Sequence, residues 1–114
     1  NIAVIELNVD QQMSLEDIDN IPLSYDLKQN FPNPFNPTTK ITYTIPTDEF
    51  VDIKVYDING REVRSLINEE KLAGRHLAVW DGKNNLGNNT GAGVYMLKMN
   101  SKSFSKTVKM LLLK

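Results

Sequence analysis

Short stretches in which apolar and polar residues alternate run from Leu23 to the end of the chain. Alternation with a period of two residues indicates strands that bury one face. Such runs dominate the seven stretches that we predict to be strands: Ser24–Lys28, Ile41–Ile45, Val51–Tyr56, Val63–Ile67, His76–Trp80, Val94–Met99 and Phe104–Leu113. Their spacing predicts an all-β fold, an antiparallel β-sandwich of about seven strands.

The first 22 residues differ from this pattern. Ile2 to Val9 is apolar and β-prone, whereas Asp10 to Pro22 is polar and acidic. We therefore divide the chain into residues 1–22, the end of a preceding region plus an acidic linker, and residues 23–114, the sandwich domain. Residues 1–9 either close the preceding domain, add a strand to this sandwich, or pair with another copy, since free sheet edges invite pairing.

One segment interrupts the strands: Gln29 to Thr39 reads Q-N-F-P-N-P-F-N-P-T-T, and we call it the Pro-Asn segment. Each proline fixes its own φ at about −65° and keeps the preceding residue out of the α region. We predict a rigid turn between the first two strands that seats Phe31 or Phe35 at the end of the core. The residues that define this motif are Asn33, Pro34, Phe35, Asn36 and Pro37.

Two further motifs are predicted to be structural. Asn59-Gly60-Arg61 follows the third stretch, and Asn-Gly is a strong hairpin signal because both central residues of such a turn need φ > 0. The next stretch is therefore expected to run back antiparallel. Trp80-Asp81-Gly82 ends the fifth stretch, and we expect Trp80 to fill the core while its indole N–H finds a partner.

The residue types argue against an enzyme. The chain has no cysteine and a single histidine, His76, which we expect to be a half-buried packing residue. The serines lie in no nucleophile-elbow motif. The loop after Trp80 carries oxygen ligands that could surround Ca²⁺, but their spacing does not match an EF-hand, so turn formation is favoured. No cofactor is expected. These loop residues are Asp81, Asn84, Asn85, Asn88 and Asn89.

The net charge of −1 conceals an asymmetry between the two ends of the chain. Residues 1–28 carry −5, so residues 29–114 carry +4, and no acidic residue follows Lys98. The lysines of the last strand lack the clustered arginines and stacking aromatics of a nucleic-acid site. Lysines on an edge strand block unwanted pairing instead. We expect no nucleic-acid partner.

Taken together, the motifs resemble the type A C-terminal sorting domain of the type IX secretion system. The matching segments run in order along residues 27–114: L-K-Q-N-F-P-N-P-F-N-P-T-T, I-T-Y-T-I-P, V-Y-D-I-N-G-R-E-V, A-G-R-H-L-A-V-W-D-G, G-A-G-V-Y and K-M-L-L-L-K. The chain is also similar to the immunoglobulin-like domain of flagellar hook-capping proteins, which shares V-Y-D-x-x-G-R and W-D-G. Both resemblances imply an immunoglobulin-like sandwich.

The sorting-domain resemblance implies a function without catalysis. Such a domain directs the cargo protein on its N-terminal side from the periplasm across the outer membrane of a Gram-negative bacterium. A surface sortase-like peptidase then cuts the linker and attaches the cargo to the cell surface. The secretion machinery recognises the last strand, which here corresponds to Lys109, Met110, Leu111, Leu112, Leu113 and Lys114.

Physical reasoning gives the terminal strand a similar role. An apolar strand with lysines can pair with the edge of another protein by β-augmentation, and folding hides its apolar face until a receptor competes. We expect deletion of residues 109–114 to abolish export and leave a folded sandwich. Alternatively, K-M-L-L-L-K is only a closing core strand.

A second class of function stays open. The domain could be an accessory spacer, or a carbohydrate-binding module of a surface enzyme. A sugar site needs a platform of exposed aromatic rings, for which Phe31, Phe35, Tyr43 and Tyr56 are the candidates. Pairing through a free edge strand would give a dimer.

Overall fold

The computed structural model describes residues 23–114, and all regular structure in this range is β-strand. Two of the expectations for the N-terminal part, a strand at residues 2–9 and a linker at 10–22, lie outside the described residues. No helix in the described range is long and apolar enough to cross a membrane. The strands are β1 (Asp26–Leu27), β2 (Thr39–Ile45), β3 (Glu49–Tyr56), β4 (Glu62–Lys71), β5 (Gly74–Trp80), β6 (Gly93–Ser101) and β7 (Phe104–Leu112).

The seven strands form two antiparallel sheets that pack face to face, which confirms the predicted sandwich. One sheet has the order β1-β2-β5 and the other the order β4-β3-β6-β7, so β7 lies at an edge. Each predicted strand is present, and most are longer than the alternation indicated. The inward-facing side chains of both sheets form one core, because alternate residues along each strand point to the same side.

Trp80, the last residue of β5, belongs to this core and is fully buried. Its indole Nε1–H donates a hydrogen bond to the Lys83 carbonyl oxygen at 2.9 Å, which confirms the predicted partner for this group. The rings of Phe35 and Tyr95 lie 5.5 and 5.2 Å from it, centroid to centroid, in the tilted arrangements that aromatic pairs favour.

The turn between β3 and β4 differs from the predicted two-residue hairpin. Gly60 has φ +81°, but Asn59 is not among the residues with positive φ. The Asp57 carbonyl accepts from Gly60 N at 3.0 Å, and the Asp57 carboxylate accepts from the backbone N–H groups of Asn59 and Arg61. The predicted antiparallel return of the chain is confirmed by the pairing of β3 with β4. The turn itself differs, because the aspartate before Asn-Gly stabilises a longer turn with only its glycine at positive φ.

The hairpin between β6 and β7 is tight. Ser101 and Phe104 are paired, so only Lys102 and Ser103 form the turn, and Lys102 adopts φ +37°. This turn holds β7 in register with β6 along its whole length. It contains neither glycine nor asparagine, which is why its sequence gave no turn signal.

Candidate functional site: the terminal strand and its covered edge

The two sides of β7 have different environments. Met110 and Leu112 are 0% and 1% exposed and belong to the core. Lys109 and Leu111 alternate with them on the outer side of the sheet, and Leu113 follows with 47% of its surface exposed. Phe104, Val108, Met110 and Leu112 share the inward side, which the exposed Lys106 interrupts.

The Pro-Asn segment covers the outer edge of β7 near its end. Phe35 forms a parallel bridge with Leu112, in which Phe35 N donates to Leu111 O at 3.0 Å and Leu113 N donates to Phe35 O at 2.9 Å. The Asn33 side chain accepts from Leu111 N at 3.0 Å. Four residues of two distant motifs therefore share the hydrogen bonds that a neighbouring strand would normally make.

Gln29 extends this cover by one more position. Its Nε2 donates to Lys109 O at 2.7 Å. The outward backbone groups Lys109 O, Leu111 N, Leu111 O and Leu113 N are all bonded within the domain. Covering an edge in this way prevents uncontrolled pairing with other chains.

Phe35 anchors the segment in the core. Its side chain is 2% exposed, whereas that of Phe31 is 77% exposed. Of the two phenylalanines that the sequence offered, Phe35 is therefore the one that the turn places in the core. Phe31 contributes through its backbone, which forms an antiparallel bridge with Lys40 on β2. The three X–Pro bonds of the segment are cis. The segment thus bridges both sheets, bonded to β2 at one point and to β7 at another.

Inside the segment, buried polar groups bond to one another. Asn30, 2% exposed, donates from Nδ2 to Pro32 O at 3.1 Å and to Thr39 Oγ1 at 2.9 Å. The Thr39 hydroxyl donates to the same Pro32 carbonyl at 2.8 Å. Because buried polar groups are costly when unpaired, this network favours a single conformation of the turn.

A polar cluster fixes the beginning of β7. The ring of Tyr25 stacks on Phe104 with centroids 5.0 Å apart, and its hydroxyl donates to Glu49 at 2.7 Å. Ser101 Oγ lies 2.6 Å from the same carboxylate. Burial alone would raise the pKa of Glu49, but hydrogen bonds from Ser101, Thr47 and Tyr25 outweigh it and lower the pKa below its usual value.

This arrangement corrects one sequence expectation. Deletion of residues 109–114 was expected to leave a folded sandwich, but it removes Met110 and Leu112 from the core. Each loss of a buried aliphatic side chain costs about 2–5 kcal/mol, and a domain has about 5–15 kcal/mol in total. The truncated domain is therefore expected to unfold, and point substitutions on the outer side are the cleaner test.

The loop after Trp80 uses its side-chain oxygens for turns. Asp81 Oδ1 accepts from Lys83 N at 3.1 Å and from Arg64 at 3.2 Å. Asn84 Oδ1 accepts from the backbone N–H groups of Leu86 and Asn88. Within residues 23–114, no group of three or more His, Asp or Glu side chains is placed to hold a metal ion. The Asp81 and Asn84 oxygens thus have the turn-forming role that the sequence favoured.

Gly82, the last residue of the W-D-G motif, lies directly under the Pro-Asn segment. It has φ +76°, and a Cβ at this position would lie 3.0 Å from the Pro37 carbonyl oxygen. A side chain is excluded by both the backbone conformation and the close approach. The W-D-G and N-P motifs therefore belong to one packed end of the sandwich.

The four candidate aromatic residues do not form a sugar platform. Phe35 and Tyr43 are buried in the core. Phe31 is exposed beside β2, and Tyr56 is half-buried on the outer face of the other sheet. A stacking platform needs neighbouring rings on one surface, and these two lie on different sheets.

His76 is half-buried, as predicted for a packing residue. Its ring stacks on Tyr43 with centroids 5.2 Å apart, and its Nε2–H donates to Leu72 O at 2.7 Å. Both contacts fix the ring in place at the edge of the core.

The family follows from residues 35–105, which match the model of the FlgD Ig-like domain. This range spans more than half of the chain. The chain belongs to the FlgD Ig-like domain family. The match begins at Phe35 and ends at Ser105, so it covers the body of the sandwich and excludes both Asn33 and all of β7 after Ser105.

Solved structures with the same fold come from two kinds of protein. Dimeric latent PorU from Porphyromonas gingivalis has a TM-score of 0.64 at 23% identity, over 82% of this chain and 10% of PorU. PorZ of the same organism, described as an essential bacterial surface component of the type IX secretion system, has a TM-score of 0.51 at 18% identity, over 89% of this chain and 12% of PorZ. This chain thus spans only a small part of either protein.

FlgD from P. aeruginosa has a TM-score of 0.52 at 28% identity, over 65% of this chain and 57% of that protein. No curated protein matches the chain. The FlgD Ig-like family and these likenesses confirm the immunoglobulin-like fold predicted from the motifs. The contact between the Pro-Asn segment and β7, by contrast, carries no sequence signal, because it joins residues as far apart as Asn33 and Leu111.

Proposed function

We propose that this FlgD Ig-like domain is a sorting domain, which directs the cargo on its N-terminal side across the outer membrane by the type IX secretion system. It acts without catalysis, and the cargo is released or attached at the cell surface. The observation that carries the proposal is the covered edge of β7. The two motifs that most resemble the sorting family, N-P-F-N-P and K-M-L-L-L-K, are bonded to each other.

Two further observations support this proposal over a flagellar role. The residues matched by the FlgD family end before the K-M-L-L-L-K motif and begin after Asn33. Domains of similar fold occur in PorU and in PorZ, the latter being a surface component of the type IX secretion system. The proposed partners are the outer-membrane machinery of that system and a sortase-like surface peptidase that cuts within residues 10–22.

The test is export of a reporter. The full 114-residue chain is fused to the C-terminus of a periplasmic reporter and expressed in a bacterium that has the type IX secretion system. We expect the reporter to reach the surface or the medium, and to stay in the periplasm of an otherwise identical strain without the translocation machinery.

The matched control is the Ig-like domain of the P. aeruginosa FlgD, which shares the fold. The same reporter fused to that domain should stay in the periplasm. Retention of both fusions would refute a sorting function. Equal export of both would show that the fold alone suffices and that the terminal motif has no role.

The alternative of an accessory spacer makes a different prediction. A spacer leaves the location of the reporter unchanged in both strains. A dimer formed through the edges of β4 or β5, which lie at the outside of their sheets, would be compatible with either function. Sedimentation of the purified chain measures this state directly.

A further inference from the structure

The covered edge limits how a partner can read the folded domain. Backbone pairing at Lys109, Leu111 and Leu113 is prevented, because the Pro-Asn segment already uses these groups. Ser105 and Thr107 lie beyond this cover, but Lys106 between them contacts Asp26 of β1 at 3.7 Å. The uncovered part of the edge is therefore limited to the first half of β7, away from the K-M-L-L-L-K motif.

Burial in the core also excludes recognition through the inward side chains of β7. Met110 and Leu112 are almost completely buried, so a partner of the folded domain cannot contact them. Of the terminal residues, Lys109, Leu111 and Leu113 present their side chains outward. Recognition of the folded domain through these terminal residues must therefore use this outer row or the exposed Lys114 that follows it.

The outer row continues onto β6. Leu111 is the register partner of Val94, and Lys109 is the partner of Met96. Side chains of directly opposite residues lie on the same face, with Cβ atoms about 4.5–5.5 Å apart. Val94, Met96 and Leu111 are all half-buried on the solvent side of the sheet. We call Val94, Met96, Lys109, Leu111 and Leu113 the outer patch.

Charge around the outer patch is positive. Lys98 follows Met96 on the same face of β6, and Lys54 lies opposite Lys98 on β3. Lys54 is paired with Asp52 and Glu62 at 3.7 Å each, whereas no ion pair within residues 23–114 includes Lys98 or Lys109. A partner with an apolar centre and carboxylates at its rim would complement this surface.

We propose that the outer patch, built from both β6 and β7, is the docking surface for the secretion machinery, and that its partner is a protein surface with an apolar centre and a carboxylate rim. This inference rests on the proposed sorting function. It differs from recognition of a linear terminal sequence, because Val94 and Met96 join the patch only in the folded sheet.

The experiment uses the reporter fusion with single substitutions. Met96→Glu places a carboxylate in the patch outside the terminal sequence, and Leu111→Glu does so inside it. Each should lower export about tenfold or more, since a tenfold change corresponds to about 1.4 kcal/mol and like charges at an interface cost more. Lys98→Glu reverses a charge at an exposed site without loss of packing, and it should also lower export.

Leu77→Glu is the matched control. Leu77 is 59% exposed on β5, in the opposite sheet. Export of the Leu77→Glu fusion should stay within about twofold of that of the unchanged fusion. Urea unfolding followed by Trp80 fluorescence verifies that each purified variant is folded. If Met96→Glu does not fold, the difference in export between Lys98→Glu and Leu77→Glu shows whether the outer patch is needed.

The outcomes separate the two proposals. Loss of export in Leu111→Glu with normal export in Met96→Glu and Lys98→Glu would mean that a linear sequence is read, which overturns the outer patch but keeps the sorting function. Equal loss in Leu77→Glu would also overturn the patch. Retention of the unchanged fusion in the periplasm would overturn the sorting function itself.

Discussion

The two phenylalanines of the Pro-Asn segment should differ sharply in their contribution to stability. Phe35 is 2% exposed and packs beside Trp80, whereas Phe31 is 77% exposed. Replacing a buried phenylalanine by alanine costs about 3–5 kcal/mol, from lost burial and the cavity that remains. Phe31→Ala removes little buried surface and should change the free energy of unfolding by about 0.5 kcal/mol or less.

Urea unfolding monitored by the fluorescence of Trp80 measures both variants. With an m-value of about 1.5 kcal/mol/M, typical of a small domain, Phe35→Ala should lower the midpoint by about 2–3 M. The midpoint of Phe31→Ala should be nearly that of the unchanged chain. Hydrogen exchange at Leu113 N, which is bonded to Phe35 O, should accelerate in Phe35→Ala alone.

Equal effects of the two substitutions would refute the reasoning. A loss below about 1 kcal/mol in Phe35→Ala would show that the ring is not seated in the core. Unchanged exchange at Leu113 N, despite a large loss of stability, would show that Phe35 does not hold the segment on β7.

Three further predictions follow from single contacts. Asn33→Ala removes the acceptor of Leu111 N and should accelerate exchange of that amide by up to about tenfold, since such a bond contributes about 0.5–1.5 kcal/mol. The pKa of Glu49 is lowered in the folded state, so the Glu49 carboxylate stabilises the fold above its usual pKa of 4.5. This stabilisation is lost as the pH falls through the lower folded pKa. Glu49→Gln should therefore flatten this part of a plot of the free energy of unfolding against pH. The Tyr43 hydroxyl is buried without a hydrogen-bond partner in the described range, so Tyr43→Phe should leave the thermal midpoint unchanged or raise it.

Most of the fold could be predicted from local sequence. Most strands appear as a period-two pattern whose apolar positions form the core, whereas two register shifts against β3 break this alternation in β4. Trp80 could be placed in the core because a large ring in an alternating strand has few other locations. The β3–β4 turn was less accurate, because the Asp57 side chain, and not Asn59-Gly60 alone, selects its conformation.

The candidate site could be predicted only in its parts. The Pro-Asn segment and the terminal strand both stand out in the sequence, one as a turn and the other as a recognition strand. Their contact joins residues 78 positions apart in the case of Asn33 and Leu111. Contacts at that separation depend on how the two sheets stack, which no local pattern specifies.

The sequence by itself determined the strands, the turn at the prolines and the immunoglobulin-like class, because alternation and restricted φ values act within a few residues. Only the tertiary structure decided which side of β7 is accessible. Met110 and Leu112 point into the core, the Pro-Asn segment bonds the edge, and Val94 and Met96 lie beside Leu111 and Lys109. The physical reason is that burial, edge pairing and surface patches depend on neighbours brought together by folding.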